Sequence, residues 1–342
     1  MDDRHIDADV VVVGGGPAGA AAAISCAVRG LRVVLCERLQ PGRDRPGDTL
    51  HPGIAPILRQ LGIGDELACV VGARHRGAWI AWSGPPRFQA FGADADGAWL
   101  GYQVCRADFD ALLLDRARAS GVRVLQPCMV TGCLGDDAHP SGVMTSWGPV
   151  TARIVLDATG ASRWLSRARR TQHPPRSPKL FARYGYMTGE CPGRDEAPAL
   201  VGDARGWTWT ARVGPGVYSW TRVDFAGPTG ASWRPGEFRG LVDRGSSHGA
   251  DVTWRLAVPA AGPAWFLVGD AAATLDPTSS HGVQRAIMSG MMAAHLAAPV
   301  LRGDIAADEA ASAYTSWLAD WFETDAAHLS DFYKQLGAPG FA

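Results

Sequence analysis

The first apolar pattern along the chain predicts a β-α-β unit. Residues 10–13 are an unbroken run of valine, which is typical of a strand buried on both faces. Residues 20–28 are mostly small and predict a closely packed helix, and residues 32–36 predict a second strand. Strand, helix and strand in succession indicate an α/β framework.

Later patterns extend this framework. Residues 54–61 predict a helix, and residues 78–90 alternate as in a β-hairpin. Residues 105–119 have apolar positions at helical spacing, and a strand is predicted directly afterwards at residues 122–125. Residues 142–155 predict two short strands. The first half of the chain therefore reads as alternating helices and strands.

The pattern changes between residue 179 and about residue 254. Helical spacing of apolar residues disappears, and Trp, Tyr, Thr, Gly and Arg alternate, which predicts an antiparallel sheet inserted into the α/β framework. Residues 265–268 return to a buried strand. Residues 282–301 predict a long helix, and residues 310–336 predict an amphipathic one.

Composition narrows the class of protein. The 342 residues are 46% hydrophobic and 20% charged, as in a globular protein, and the net charge of −1 gives no field to attract nucleic acid or a membrane surface. Seven cysteines without a C-x-x-C pair argue against a disulfide framework and a metal site. The first seven residues are too short and too charged for a signal peptide, and no apolar run could span a bilayer. We therefore expect a cytoplasmic protein.

Three glycines between the first strand and its helix have the spacing Gly14-x-Gly16-x-x-Gly19. Gly14 permits a tight turn, Gly16 lets a pyrophosphate approach the backbone, and Gly19 lets helix and strand pack closely. The free N–H groups at the start of the helix suit a diphosphate. Glu37 ends the second strand, where a carboxylate accepts ribose hydroxyls. Together these residues predict a dinucleotide site.

A second segment with candidate chemistry runs from residue 266 to residue 283. Asp270 follows the buried strand and could accept a hydrogen bond from a polyol chain. The N–H groups of Gly282 and Val283 open a helix and could face an anionic ring edge. Asp276 has a structural interpretation instead, as the acceptor that fixes the turn before Pro277.

These motifs occur in one order along the chain. The set resembles the FAD-dependent monooxygenase superfamily of the para-hydroxybenzoate hydroxylase type, which includes flavin-dependent halogenases and geranylgeranyl reductases. The resemblance covers roughly residues 8–300. It is carried by Gly14, Gly16 and Gly19 with Glu37, by Arg106 before Phe109 and Asp110, by Ala158-Thr159-Gly160, and by Gly269-Asp270 with Pro277 and Gly282.

The resemblance implies FAD, held non-covalently, as the dinucleotide. It places Asp270 at the ribityl or pyrophosphate region, Arg106 beside the flavin, and Gly282 with Val283 at the isoalloxazine. The implied cofactor-binding residues are Gly14, Gly16, Pro17, Ala18, Gly19, Glu37, Arg38, Arg45, Thr49, Arg106, Val130, Gly269, Asp270, Gly282 and Val283. The implied fold is a Rossmann-like FAD-binding domain in two parts, 1–178 and 261–305, with an antiparallel β substrate-binding insertion at 179–260 and a C-terminal helical segment at 306–342.

Two stretches indicate a halogenase-like branch. Residues 46–53 resemble the Gly-Glu-Ser/Thr loop of such proteins, with Asp48 in place of Glu, and Trp207-Thr208-Trp209 resembles half of their W-x-W-x-I-P signature. Halogenases also use a lysine shortly after that loop to handle hypohalous acid. No lysine precedes Lys179 here, so that role is not carried over. The stretches GDTLHPG and GWTWTA look closer to maturases that modify tryptophan in peptidyl quinone cofactors.

The likeness to maturases implies a monooxygenase that hydroxylates an indole or phenol through a flavin C4a-hydroperoxide. The substrate would be a tryptophan side chain in a partner polypeptide. His51 and His281 are candidate acid/base groups, and either could instead cap a loop or bond a backbone carbonyl. An aromatic substrate bed on the sheet is predicted from Trp207, Trp209 and Trp220, although alternating aromatic residues also form cores.

The electron donor stays open, because no second G-x-G-x-x-G follows Gly160. Either NAD(P)H visits the flavin transiently or a partner flavin reductase supplies electrons. Three other functions remain open: a halogenase-like enzyme, a geranylgeranyl reductase-like enzyme acting on a small molecule, and a non-catalytic flavin-binding scaffold. The polar, Trp- and Arg-rich β segment argues against the long apolar tunnel that a geranylgeranyl reductase needs.

Overall fold

A computed structural model describes residues 5–42, 46–82, 84–136, 139–225 and 227–341. Its first half contains these helices and strands: β1 (Ile6–Val13), α1 (Pro17–Val28), β2 (Val33–Cys36), β3 (Thr49–Leu50), α2 (Ile54–Gln60), β4 (Val71–His75), β5 (Gly77–Ala81), β6 (Arg87–Ala90), β7 (Ala93–Asp94), β8 (Gly97–Ala98), β9 (Gly101–Val104), α3 (Arg106–Ala119), β10 (Arg123–Leu125), β11 (Val130–Gly135), β12 (Pro140–Thr145), β13 (Gly148–Asp157) and α4 (Trp164–Arg169). The predicted β-α-β unit, the hairpin and the helix before residue 119 are confirmed. Helix α1 starts earlier than predicted, because proline suits the first turn of a helix.

The second half is richer in long strands. It contains β14 (Phe181–Thr188), α5 (Pro192–Glu196), β15 (Ala199–Asp203), β16 (Gly206–Gly214), β17 (Val217–Asp224), β18 (Val242–Asp251), β19 (Arg255–Leu256), β20 (Ala261–Gly262), β21 (Trp265–Leu267), β22 (Ala273–Thr274), α6 (Gly282–Arg302) and α7 (Ala307–Gln335). The mixed α/β architecture with a β insertion and C-terminal helices confirms the predicted fold class.

The first large sheet is the α/β core, with strand order β10-β2-β1-β13-β12-β11 and β21 beside β13. Strands β10, β2, β1, β13 and β21 are parallel, so their carboxyl ends share one edge. Helices α1 and α6 cover this sheet in very close contact, since a Cβ on Gly290 would lie 2.2 Å from the carbonyl oxygen of Ala18. Ligands of such folds bind at the carboxyl edge.

The second large sheet has the order β18-β14-β17-β16-β15-β5-β6. All its pairs are antiparallel except β15 with β5. Strands β5 and β6 come from the first half of the chain, outside the predicted insertion at 179–260. The second sheet is therefore built from two separate parts of the sequence.

Helix α7 connects the two sheets. Tyr314 donates a hydrogen bond to the carbonyl oxygen of Leu267 in the core sheet (2.6 Å). Tyr333 accepts one from the indole N–H of Trp207 on the second sheet (3.0 Å) and donates one to Asp276 (2.9 Å). Within the described ranges, none of the helices combines the length and apolar character that a membrane crossing requires.

Candidate active site

A cavity of about 740 Å³ lies where the carboxyl edge of the core sheet meets one face of the second sheet. At one end it is lined by the glycine turn, and at the other by side chains of β14, β16, β17 and β18. The loop at residues 46–49 and the start of α6 line the middle. Most of the residues predicted for the cofactor, and two of those predicted for the substrate, thus line one cavity.

The glycine turn has the close contacts that its sequence implies. Gly14 has φ +108°, and a Cβ there would lie 2.4 Å from the carbonyl oxygen of Ala158. A Cβ on Gly19 would lie 1.9 Å from the carbonyl oxygen of Gly14, so Gly19 packs helix against turn and does not line the cavity. Gly16 and Pro17 begin α1 and, with Ala18, line the cavity.

Glu37 is buried beside the turn. One carboxylate oxygen accepts the backbone N–H of Gly15 (2.7 Å), and the other accepts that of Leu39 (2.8 Å). The carboxylate therefore fixes the loops on both sides of it, and its contact with a ribose stays a prediction. Arg38 and Val130 line the same end of the cavity.

Asp270 lies in the turn that follows β21 and lines the cavity. Desolvation by the surrounding protein raises the pKa of its carboxyl even though the side chain is exposed to the cavity, and the charges of Arg106 and Arg163 oppose that rise. Gly269 before it has φ +60°, and a Cβ there would lie 2.8 Å from the Cβ of Ala18. The turn thus brings Asp270 next to the start of α1, and its contact with the ribityl or pyrophosphate region stays a prediction.

Arg106 is the first residue of α3 and is almost completely buried. Its guanidinium pairs with Asp110 (3.1 Å) and donates to the carbonyl oxygen of Pro46. Gly47 has φ +99°, a backbone conformation that favours glycine, and a Cβ there would lie 2.6 Å from that guanidinium. Arg106 therefore holds the loop at residues 46–49 against the cavity, which it also lines.

Asp48 is a buried titratable residue that the sequence did not indicate as a candidate site residue. Its Oδ1 accepts the hydroxyl of Tyr186 (2.8 Å), and Ser219 also hydrogen-bonds to it. Burial raises the pKa of Asp48 to about 7, although these hydrogen bonds and the charge of Arg106 act in the opposite direction. The sequence marked the residue only as a substitution in a familiar loop, and its partners lie on distant strands.

The two predicted histidines lie side by side. The ring centroids of His51 and His281 are 4.9 Å apart in an edge-to-face arrangement. His51 Nδ1 accepts the N–H of Gly53 (3.1 Å), as in the loop-capping alternative. Burial lowers the pKa of both rings, so both are neutral near pH 7. His281 lines the cavity, whereas His51 contacts the His281 ring without lining the cavity.

Four side chains form a row across the second sheet. Trp209 pairs with Thr221, Thr221 with Tyr184, and Tyr184 with His248, each on a neighbouring strand. All four line the cavity. The indole N–H of Trp209 donates to Thr49 (3.0 Å), which ties the row to the loop at residues 46–49. Only Trp209 of this row was predicted, because strand register cannot be read from the sequence.

The other two predicted tryptophans differ from each other. Trp207 lines the cavity, but its side chain is 1% exposed and bonded to Tyr333, so it supports the cavity wall. Trp220 does not line the cavity and packs with Tyr218 and Phe238 in a separate core cluster. It lies between Ser219 and Thr221, which face the cavity, so strand alternation turns it to the opposite face. The prediction that Trp220 contacts substrate is therefore wrong.

The remaining predicted residues are placed as follows. Thr49, Gly282 and Val283 line the cavity. Arg45 lies outside the described residues. Asp276 caps the turn at residues 277–279 by accepting the N–H of Thr278 (3.0 Å), as its structural interpretation predicted. No cluster of three or more metal-ligating side chains occurs in the part of the chain that the structure describes.

Comparisons with known proteins agree with this geometry. Residues 7–154 match the FAD binding domain family. The flavin-dependent halogenase armH3 of Armillaria mellea is 27% identical over 97% of this chain and 75% of its own length. A tryptophan 2-halogenase of Chondromyces crocatus is 26% identical over 95% of this chain and 67% of its own length. The structure of the flavin-dependent brominase Bmp2 superposes with a TM-score of 0.82, at 23% identity, over 97% of this chain and 90% of that one.

The chain therefore carries an FAD-binding domain, and FAD is its cofactor. The residues present fit that group: a glycine turn with no room for a Cβ, a helix start open to the cavity, and an acid at the end of β21. The protein is an FAD-dependent enzyme that is similar to flavin-dependent halogenases along nearly its whole length. The finer likeness to quinone-cofactor maturases gains no support from these comparisons.

Proposed function

We propose that this protein is a halogenase-like flavoenzyme that substitutes an electron-rich aromatic small molecule. The observation that carries the proposal is the row Trp209–Thr221–Tyr184–His248, which faces the same cavity as the FAD-binding turn. The named relatives that align with nearly the whole chain support it. When bound and reduced, FAD supplies the activation of oxygen.

The row is suited to a flat ring. Trp209 and Tyr184 offer aromatic surface on either side of the smaller Thr221, and Ser219 and Ala182 leave space next to it. An aromatic ring stacked between such walls is held in place and shielded from water. The hydroxyl groups in the floor can orient a polar substituent by hydrogen bonding.

Asp48 is the group that we propose removes the ring proton. Electrophilic substitution adds one atom to a ring carbon, and the ring regains its aromaticity when that carbon's proton leaves to a base. A carboxyl with a pKa of about 7 can accept and later release such a proton near neutral pH. Tyr186 orients the carboxyl by its hydrogen bond of 2.8 Å.

Hydroxylation is the second candidate, and the distribution of lysines favours it. Both lysines of the chain, Lys179 and Lys334, are exposed, and neither lines the cavity. The halogenase resemblance assigns a lysine to the handling of hypohalous acid, and no lysine is among the described residues that line this cavity. An oxygen atom transferred directly to the ring needs no such residue.

The deciding experiment combines the FAD-loaded protein with a flavin reductase, NADH and air. Indole, pyrrole and phenol are offered as substrates, with and without bromide, and products are analysed by mass spectrometry. A bromine isotope pattern that requires bromide establishes halogenation, and one added oxygen under both conditions establishes hydroxylation. A parallel reaction with NADH alone tests whether a partner reductase is needed. Flavin turnover with neither product on any of these rings would overturn the proposal.

A further inference from the structure

One network of hydrogen bonds links the three-stranded sheet β3-β9-β4 to the cavity. Its members are His75, Gln103, Thr49 and Trp209, of which the last two line the cavity. The indole N–H of Trp209 donates to the hydroxyl oxygen of Thr49 (3.0 Å), and that hydroxyl donates to Oε1 of Gln103 (3.0 Å). Nε2 of Gln103 lies 2.9 Å from Nε2 of His75, whose Nδ1 lies 2.9 Å from the carbonyl oxygen of Gly77.

The carbonyl group of Gly77 fixes the direction of every bond in this network. A carbonyl oxygen can only accept, so Nδ1 of His75 carries a proton that points to Gly77. Burial lowers the pKa of His75, although the bond to Gly77 acts in the opposite direction, so the ring is neutral near pH 7. Its Nε2 therefore has no proton and accepts an N–H of Gln103.

The amide of Gln103 passes this direction on to the cavity wall. Because its nitrogen faces His75, its oxygen faces Thr49 and accepts the hydroxyl proton. The Thr49 hydroxyl thus presents a lone pair to the indole N–H of Trp209. Each of these donors has one matching acceptor, and bonds in such a network strengthen one another.

The surroundings hold the inner part of the network in place. His75 is 4% exposed and Gln103 is 1% exposed. The ring of Phe91 packs against the His75 ring with the centroids 5.3 Å apart, and a Cβ on Gly101 would lie 2.9 Å from Cε1 of His75. Turning either side chain over would leave a buried polar atom without a partner, which is unfavourable.

We propose that His75 and Gln103 are positioning residues that hold the Trp209 indole at the angle required by a substrate ring. This inference rests on the proposed function, which places an aromatic ring against Trp209. Neither His75 nor Gln103 lines the cavity, so both act through Thr49. Strand register places Trp209 on the cavity face, but the torsions of its side chain are fixed only by its contacts.

Two substitutions of His75 separate positioning from packing, because both remove the ring that packs against Phe91. His75→Gln places an amide oxygen near the former Nε2 and can accept the N–H of Gln103. His75→Asn is one carbon shorter, so it can bond Gly77 but leaves Gln103 without an acceptor.

The two variants should differ in KM for whichever of indole, pyrrole and phenol is turned over. We expect His75→Asn to raise KM by about tenfold and His75→Gln to restore it to within about threefold of the wild type. The change in kcat should stay below about twofold, because Asp48 keeps its bond to Tyr186.

NMR tests the network without relying on turnover. In wild-type protein with nitrogen-labelled histidine, His75 should show a protonated Nδ1 and an unprotonated Nε2, and its signal is the one missing from His75→Gln. The indole N–H signal of Trp209, identified by its absence in Trp209→Phe, should move in His75→Asn and return in His75→Gln. If none of the rings is turned over, the proposed function fails, and the Trp209 signal still decides whether the network positions the indole.

Gln103→Leu removes the central member of the network and should act as His75→Asn does on KM and on the Trp209 signal. Gln89→Leu is the matched control, at an exposed glutamine of β6, and should behave as the wild type. The proposal is overturned if His75 is charged or carries its proton on Nε2 at neutral pH. It is also overturned if His75→Asn and His75→Gln have the same KM and the same Trp209 signal, or if Gln103→Leu changes neither.

Discussion

The two ends of the cavity are built in different ways. At the dinucleotide end the cavity wall is formed by closely packed backbone. A Cβ on Gly14 or Gly19 would lie within 2.4 Å of a carbonyl oxygen. At the sheet end, side chains from four strands meet by register, as in the pair Tyr184–His248. The first end tolerates little change in its backbone, because neighbouring carbonyl groups leave no room for a side chain. The second end changes with any side chain in the row, so under the proposed function it is the part that would select a substrate.

The largest effect should come from the backbone end. Gly19→Ala places a methyl group 1.9 Å from the carbonyl oxygen of Gly14, and neither backbone can move without displacing α1. We expect the purified variant to lack bound flavin in its absorbance spectrum and to lose about 3 kcal/mol of unfolding free energy. Gly193→Ala is the matched control, because a Cβ there meets nothing within 4 Å. Retention of flavin by Gly19→Ala would show that the turn is less constrained than its contacts imply.

A smaller but specific loss is expected at the sheet end from Asp48→Asn. The amide cannot accept the ring proton, so kcat should fall by about 100-fold while the flavin spectrum and FAD affinity stay as in the wild type. Turnover of the aromatic substrate and a fluorescence titration with FAD provide the two readouts. Equal kcat in variant and wild type would remove Asp48 from the chemistry and leave the row as a binding surface only.

Trp209→Phe and Trp220→Phe test the two faces of the second sheet with the same substitution. The first removes an indole from the cavity and its bond to Thr49, so KM should rise about tenfold. The second acts on a buried cluster on the other face, so it should lower Tm by a few degrees and leave KM unchanged. An increase in KM from Trp220→Phe would contradict the assignment of faces.

The smallest effect is a shift in pH dependence. If Asp48 is the base, as proposed, activity should rise with pH through its pKa of about 7. Tyr186→Phe removes a hydrogen bond that stabilises the carboxylate, so the pKa of Asp48 rises further and the midpoint of kcat against pH moves upward. A profile recorded between pH 5.5 and about 9 checks this. A downward shift would mean that Tyr186 stabilises the protonated acid.

The two ends of the cavity also differ in how far the sequence predicts them. Gly14, helix α1 and Glu37 follow one another closely along the chain, so local pattern was enough to predict the FAD-binding end and the fold class. The contact between Asp48 and Tyr186 joins residues on a loop and a distant strand. This contact depends on the order of the strands in the second sheet. Strand β5 joins that sheet from the first half of the chain, and the composition of the sequence does not reveal this.

The sequence pattern did not reveal the surroundings of Trp220, His51 and His281. Alternation along β17 is visible in the sequence, but it does not say which face meets the cavity, so Trp220 was given the wrong side. The prediction that His51 and His281 are functional stays a prediction. Their side-by-side placement could not have been anticipated, because it arises from the packing of a loop against the start of α6.

The bonds from Tyr333 to Trp207 and Asp276 have a consequence for how the protein is made. A ribosome releases the glycine turn among the first residues and Tyr333 among the last of those described. The wall behind the cavity therefore stays open throughout translation, and the turn at Asp276 lacks its last anchor until α7 has emerged. The cavity can therefore enclose a cofactor only after α7 has emerged from the ribosome and packed against both sheets.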